Sequence, residues 1–145
     1  RGEPSGTAMV RKTGGWLGGL PEAPEIPRDD DVVSEEELQQ YVASLKRNGF
    51  FAANSWYKNH EANAEFSKLA QNDGKLTMPV LFMHARYDYT CETLDSNLAV
   101  PMRGLCSNLS EVIVDSGHWM AQERPADVNK AMVKWLLEQF PESLA

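Results

Sequence analysis

Two side chains well separated along this 145-residue chain, the carboxylate of Asp88 and the imidazole of His118, carry the chemistry most readily read from it. A carboxylate beside a histidine fixes the imidazole tautomer through one ring nitrogen. It also stabilises the imidazolium that forms when the other nitrogen takes a proton. That pairing makes a general base. A third group, the phenol of Tyr57, stays protonated at neutral pH and can donate a hydrogen bond to an oxygen gaining negative charge. A plainer reading of all three stays open on spacing alone. Asp88 then caps the helix that follows, His118 fills a loop, and Tyr57 beside Trp56 is amphipathic core with its hydroxyl at a wet edge.

The first reading needs Asp88 and His118 delivered to one place. Glu111-Val112-Ile113-Val114-Asp115 is short, β-branched and bounded by turn residues, which predicts a strand. Ser116-Gly117 then turns the chain and leaves His118 at that strand's carboxyl end. Upstream, Val80 to Met83 is apolar without alternation, the pattern of a parallel strand covered on both faces, and Asp88 falls a few residues past it. Glu92 to Leu105 has the length of a parallel crossover, with Leu94, Leu98 and Leu105 as helix-facing positions. Two neighbouring parallel strands bring both residues to the same rim, where ligands of open α/β sheets collect. A closing helix is predicted from Pro125, carrying Val128, Met132, Trp135, Leu136 and Phe140 on one face, and Pro141 stops it.

The elements ahead of the strands divide at Ser34. Residues 1–33 hold most of the glycines and half of the prolines and read as loop, with Trp16 and Leu17 burying one apolar patch. Pro21, Pro24 and Pro27 favour an extended path. Ser34-Glu35-Glu36-Glu37 is a capping box that opens a helix with Leu38, Tyr41, Val42 and Leu45 on one face, closed by Asn48-Gly49. A second helix is predicted over Ala52 to Ala70 and ends at Asn72-Asp73-Gly74. The expected organisation is a Gly/Pro-rich loop (1–33), a helical lid (34–75) and an α/β core (76–145).

Composition excludes several classes of partner. Net charge is −7 with the basic residues scattered, so there is no stripe for nucleic acid or anionic lipid. No apolar run reaches the roughly 18 residues of a membrane span, and no apolar signal segment opens the chain. Cys91 and Cys106 lack a CxxC pattern and read as free buried thiols of a reducing compartment, hence a cytoplasmic protein. Neither has a sequence setting that argues for a nucleophile. His60, His84 and His118 show no paired ligand spacing, so no metal site is expected; His84 reads as a hydrogen-bonded interior residue and His60 as an exposed one. Two strands leave faces and edges uncovered. With Arg1 rather than a methionine at the start, this fits a piece whose upstream half supplies the other strands.

The order of lid helices, strand, Asp88, crossover, strand, Gly117-His118-Trp119 and terminal helix resembles the C-terminal part of an α/β-hydrolase. More narrowly, Glu35-Glu36-Glu37-Leu38-Gln39-Gln40-Tyr41-Val42, Asn48-Gly49-Phe50 and above all Asn54-Ser55-Trp56-Tyr57-Lys58-Asn59 resemble the cap of soluble epoxide hydrolases. The resemblance implies that Asp88 is the triad acid and that His118 is the base that activates water to hydrolyse a covalent ester. It implies that Tyr57 is one of two cap tyrosines on the epoxide oxygen, and that Trp119 and Thr90 line the pocket. Water is then the co-substrate, and neither a cofactor nor a metal is implied. The family's nucleophilic Asp sits on a strand-to-helix elbow. No Gly-x-Asp-x-Gly or Gly-x-Ser-x-Gly pattern occurs here, so that residue, the oxyanion loop and the second tyrosine are expected upstream. Without them the chain alone is expected to be inactive. A dehalogenase, an esterase or a non-catalytic ligand-binding relative remain alternatives on the same fold.

Overall fold

The carboxyl ends of two parallel strands, with the residues just past them, hold most of the buried positions among the described residues. The computed structural model describes residues 5–15 and 19–143. It divides into a unit built on residues 76–143 together with the N-terminal segment, and a helical unit over residues 28–75. Trp16 and Leu17, expected to anchor the first segment, lie outside the described residues.

The N-terminal segment departs from the expected loop: α1 spans Ser5–Thr13. Glycine and proline dominate the window as a whole, but Ala8-Met9-Val10-Arg11-Lys12 is a run without either and includes good helix formers. Gly14, at φ +76°, ends it, its amide bonded to the carbonyl of Val10. From Pro21 to Pro27 the chain is irregular.

In the helical unit, α2 runs from Glu35 to Asn48 and opens with both halves of the capping box in place. Ser34 Oγ accepts from the Glu37 amide at 3.3 Å, and the Glu37 carboxylate accepts from the Ser34 amide at 2.8 Å. Gly49, at φ +67°, terminates it. The single helix expected over Ala52 to Ala70 is instead broken into α3 (Phe51–Ser55), a 3₁₀ turn (Trp56–Lys58) and α4 (His60–Ser67). Asn54, Ser55 and Asn59 cluster at the break, and such side chains compete with helical backbone bonds. Tyr41, placed by periodicity on a core face, is exposed. Asn72 and Asp73 both take the left-handed conformation ahead of Gly74, a local reversal that closes the unit.

The strands are longer than their apolar cores suggest. β1 spans Leu76–Ala85 and pairs in parallel with β2, Cys106–Val114, in a register that sets Val80 opposite Leu109 and Ala85 opposite Val114. The pairing slips between Leu76 and Pro79, where proline has no amide to give. Between the strands, only α5 (Val100–Leu105) is helical. Thr93, Asp95, Ser96 and Asn97 leave the first half of the crossover irregular, held by the Glu92 carboxylate, which accepts from the amides of Asp95 and Ser96 at 2.8 and 2.7 Å. Leu98 and Leu105 are exposed, contrary to expectation, and Ala99 is the crossover's buried apolar residue. A short α6 (Met120–Glu123) precedes α7 (Pro125–Gln139), which packs on both strands.

Ala85, Ala99, Val114 and Val128 form the buried apolar core, joined by the buried polar residues His84, Asp88, Ser96 and Ser116. Val80 to Met83 are only half-buried. Their unalternating apolar pattern anticipates more cover than α7 provides. No described helix is long and apolar enough to cross a membrane.

Candidate active site

Past the strand ends, the backbone keeps the two rim loops in register. The Arg86 amide donates to the Val114 carbonyl at 3.0 Å and the Tyr87 amide to the Ser116 carbonyl at 2.9 Å. Arg86 pairs with Asp115, so Asp115 supports the turn, while Asp88 takes the His118 ring. These bonds fix the loop carrying Asp88 beside the loop carrying His118.

Asp88 Oδ2 accepts a hydrogen bond from His118 Nδ1 at 2.8 Å. The other oxygen, Oδ1, accepts from the amides of Thr90 at 3.0 Å and Cys91 at 2.8 Å. Burial opposes ionisation of Asp88 and is the largest single influence on it. The hydrogen bonds from the Cys91 amide, the His118 ring and the Thr90 amide together outweigh burial, and the pKa falls below the ordinary carboxyl value. An ionised carboxylate only accepts, so Nδ1 carries the ring proton and the Nε2 lone pair is left to take one. The Asp88 side chain is 10 % exposed and that of His118 46 %, an anchored acid holding a reachable base.

A second histidine shows what the opposite arrangement does. His84, in β1, is 2 % exposed, with Nε2 on Glu111 Oε1 at 2.9 Å and Nδ1 on Thr93 Oγ1 at 2.7 Å. Both nitrogens are engaged. His84 ties β1, the crossover and β2 together and has no lone pair to spare for chemistry, in line with its reading as an interior residue. His60 is exposed on α4.

The remaining candidates fall as follows. Trp119 stacks edge-on against His118, ring centres 5.0 Å apart, and both line a hollow of about 230 Å³ with Met120, Ala121 and Gln122. Thr90 is half-buried beside Asp88. Tyr57 stands in the helical unit, on the 3₁₀ turn Trp56–Lys58, and is exposed. Cys91 is exposed and Cys106 half-exposed, so neither is the buried thiol expected, though both are free.

Glu123 was not among the sequence candidates, yet it holds the histidine turn. Its carboxylate accepts from the Gly117 amide at 2.6 Å and the Trp119 amide at 3.1 Å, on either side of His118. A Cβ on Gly117 would lie 2.9 Å from that carboxylate, so a larger residue there would push the Glu123 side chain aside. The signal was present as an acid one turn into a helix, able to reach back to free amides at its start.

No family model matches the chain. It is 33% identical over 132 residues to the bifunctional epoxide hydrolase 2 of Sus scrofa, covering 90% of this chain and 22% of that protein. It is 32% identical over 124 residues to epoxide hydrolase A of Mycobacterium tuberculosis, covering 84% of this chain and 36% of that one. The chain therefore spans between about a fifth and about a third of these relatives. In three dimensions it resembles an epoxide hydrolase mutant of Vigna radiata with a TM-score of 0.64 at 23% identity, over 81% of this chain and 38% of the other. By sequence the chain is similar to the epoxide hydrolases over the portion of those proteins that it spans, and its architecture is part of an α/β-hydrolase fold.

Proposed function

We propose that this chain is the part of an epoxide hydrolase that contributes the acid, the base and one cap tyrosine, in a protein that opens epoxides to vicinal diols. The observation that carries the reading is the 2.8 Å hydrogen bond from His118 Nδ1 to Asp88, which leaves Nε2 free as a base in a chain homologous to epoxide hydrolases. In the first step a carboxylate nucleophile attacks a ring carbon, the C–O bond breaks, and the alkoxide takes its proton from a phenol. Tyr57 is assigned that donation, since an alkoxide is a poor leaving group unless a donor is aimed at it. In the second step His118 Nε2 removes a proton from water, and the hydroxide cleaves the ester to release the diol. Trp119 and Thr90 border the substrate.

The nucleophile, the oxyanion donors and the second tyrosine are assigned to an upstream segment of the same protein, which also covers the free edges of the sheet. Residues 34–75 serve as the cap. Two free cysteines support a reducing, cytoplasmic setting. A dehalogenase is disfavoured by Tyr57, because a departing halide requires no proton.

The test is mass spectrometry of the complete protein mixed with an epoxide. In a His118→Gln variant the covalent ester forms and accumulates, raising the protein mass by one substrate. Absence of any adduct in that variant overturns the ester route. Epoxide turnover by the 145-residue chain on its own overturns the assignment of the nucleophile to an upstream segment.

A further inference from the structure

The loop that supplies the acid also supplies a thiol. Because Asp88 Oδ1 accepts the Cys91 amide at 2.8 Å, the chain folds back and brings Cys91 close to the Asp88–His118 pair. One ligand atom each from Asp88, Cys91 and His118 lies within 4.8 Å of the other two, and no other such group of three stands this close among the described residues. Neither the spacing of the histidines nor that of the cysteines foretold this group.

We propose that Asp88, Cys91 and His118 form a capture site for one thiophilic divalent cation of the zinc, cobalt and cadmium class, and that its occupation switches His118 off as a base. Thiolate, imidazole and carboxylate together select such borderline-soft ions over magnesium or calcium. Three protein ligands leave a fourth tetrahedral position for water. Donors sharing one zinc stand roughly 3.3–3.8 Å apart, so the widest separation permitted by the 4.8 Å limit closes by about 1 Å. The two ligands that must move are the accessible ones: Cys91 is exposed and the His118 side chain half-exposed, while the buried Asp88 stays as anchor.

Cys91 is poorly suited to act as a nucleophile in its own right. Partial desolvation of the sulfur and the charge of Asp88 both push its thiol pKa up, which keeps it protonated. A cation reverses that, since a coordinating thiol is deprotonated outright. The exchange balances as follows. The thiol proton leaves to solvent, the cation takes the Nδ1 lone pair, and the proton formerly on Nδ1 moves to Nε2. Asp88 then binds the cation in place of accepting a hydrogen bond. With its Nε2 protonated, His118 has no lone pair to accept a proton from water. The cation site needs only these three side chains; the silencing of turnover rests on the hydrolase reading above.

The experiment titrates the chelator-treated 145-residue chain with Co²⁺ and then displaces it with Zn²⁺. One equivalent of Co²⁺ binds with a near-ultraviolet thiolate-to-cobalt charge-transfer band, and Zn²⁺ abolishes the band. Cys91→Ser loses the band and weakens Zn²⁺ binding by about a hundredfold or more. Cys106→Ser, whose cysteine lies in β2, leaves band and affinity unchanged. A missing band, or equal Zn²⁺ affinity in Cys91→Ser, overturns the site. In the complete protein, Zn²⁺ suppresses epoxide turnover of the wild type and spares Cys91→Ser. Binding without suppression overturns the switch alone. A complete protein with no turnover under any condition overturns the hydrolase reading, and the switch with it, while the binding isotherm of the isolated chain still decides the cation site.

Discussion

The rim of the sheet and the helical unit are built on opposite terms. At the rim, Asp88, Ser116, Ala85 and Val114 are buried, and backbone bonds between the two loops fix Asp88 and His118 before any ligand arrives. In the helical unit α2, α3 and α4 have no buried residue, and Phe51, Trp56, Tyr57, Phe66 and Leu69 are each more than two-thirds exposed. Those helices are held by local devices: the Ser34 box, the Arg28 pair with Glu35, and the left-handed turn at Asn72-Asp73. An acid–base pair can therefore be organised by the short stretch that carries it. A donor on an exposed aromatic surface acquires its position from apolar partners that cover that surface. The two regions should accordingly fail in different ways.

The largest expected effect is on turnover. In the complete protein, Asp88→Asn leaves the ring held but in the wrong tautomer, and ester hydrolysis falls by about 10⁴-fold. On the assignment of Tyr57 proposed above, Tyr57→Phe removes one of two phenol donors and slows ester formation by about a hundredfold. Single-turnover kinetics separate the two steps; equal slowing of both by Tyr57→Phe would erase the distinction drawn between rim and cap. Next in size is Glu123→Ala, which strips the Gly117 and Trp119 amides of their acceptor and costs about 1–3 kcal/mol in denaturant unfolding. Glu123→Gln keeps one acceptor oxygen and should fall between. No loss in either variant would mean that the histidine turn holds itself.

The same contrast governs what the sequence revealed. Strand, turn and histidine were legible because short-range rules write them: β-branched residues, Gly117, and an acid a few residues past Val80–Met83. The parallel pairing and the capping box followed from equally local signals. Legibility failed where composition outvoted a short run, as in α1, and where polar residues broke a helix whose apolar spacing looked continuous, as at Asn54-Ser55 and Asn59. It failed again for Leu98 and Leu105, because apolar periodicity says which residues want cover and not whether cover is present. Glu123 and Cys91 were missed for a third reason. Their roles depend on where a loop doubles back, and that is decided by hydrogen bonds to Gly117 and to Asp88 rather than by residue type.

A smaller effect tests the independence of the helical unit. Ser34→Ala removes the hydroxyl that accepts the Glu37 amide and should cost α2 about 1 kcal/mol. Hydrogen exchange should quicken along the first turns of α2 and remain unchanged in β1 and β2. Matching acceleration in the strands would show that the two regions open together.

The smallest effect is the pH dependence carried by the strands. Glu111 on β2 accepts from Arg103 Nε and Nη2 at 2.9 and 2.7 Å and faces the buried His84 ring at 2.9 Å. The Arg103 hydrogen bond is the largest influence and lowers the Glu111 pKa; burial opposes it, and His84 adds to the lowering. A carboxyl whose folded pKa is depressed contributes stability that is fully present above its unfolded value, about 4.3, and is lost as pH falls through the folded one. Unfolding free energy should therefore decline on acidification below about pH 4.3, with part of that slope owed to this residue. Glu111→Gln keeps an acceptor for Arg103 but cannot titrate, so its curve should be flatter in that window and lower above it. Parallel curves for variant and wild type would assign the acid sensitivity elsewhere, with the Glu37 carboxylate of the capping box, also held below its ordinary pKa, as the next group to replace.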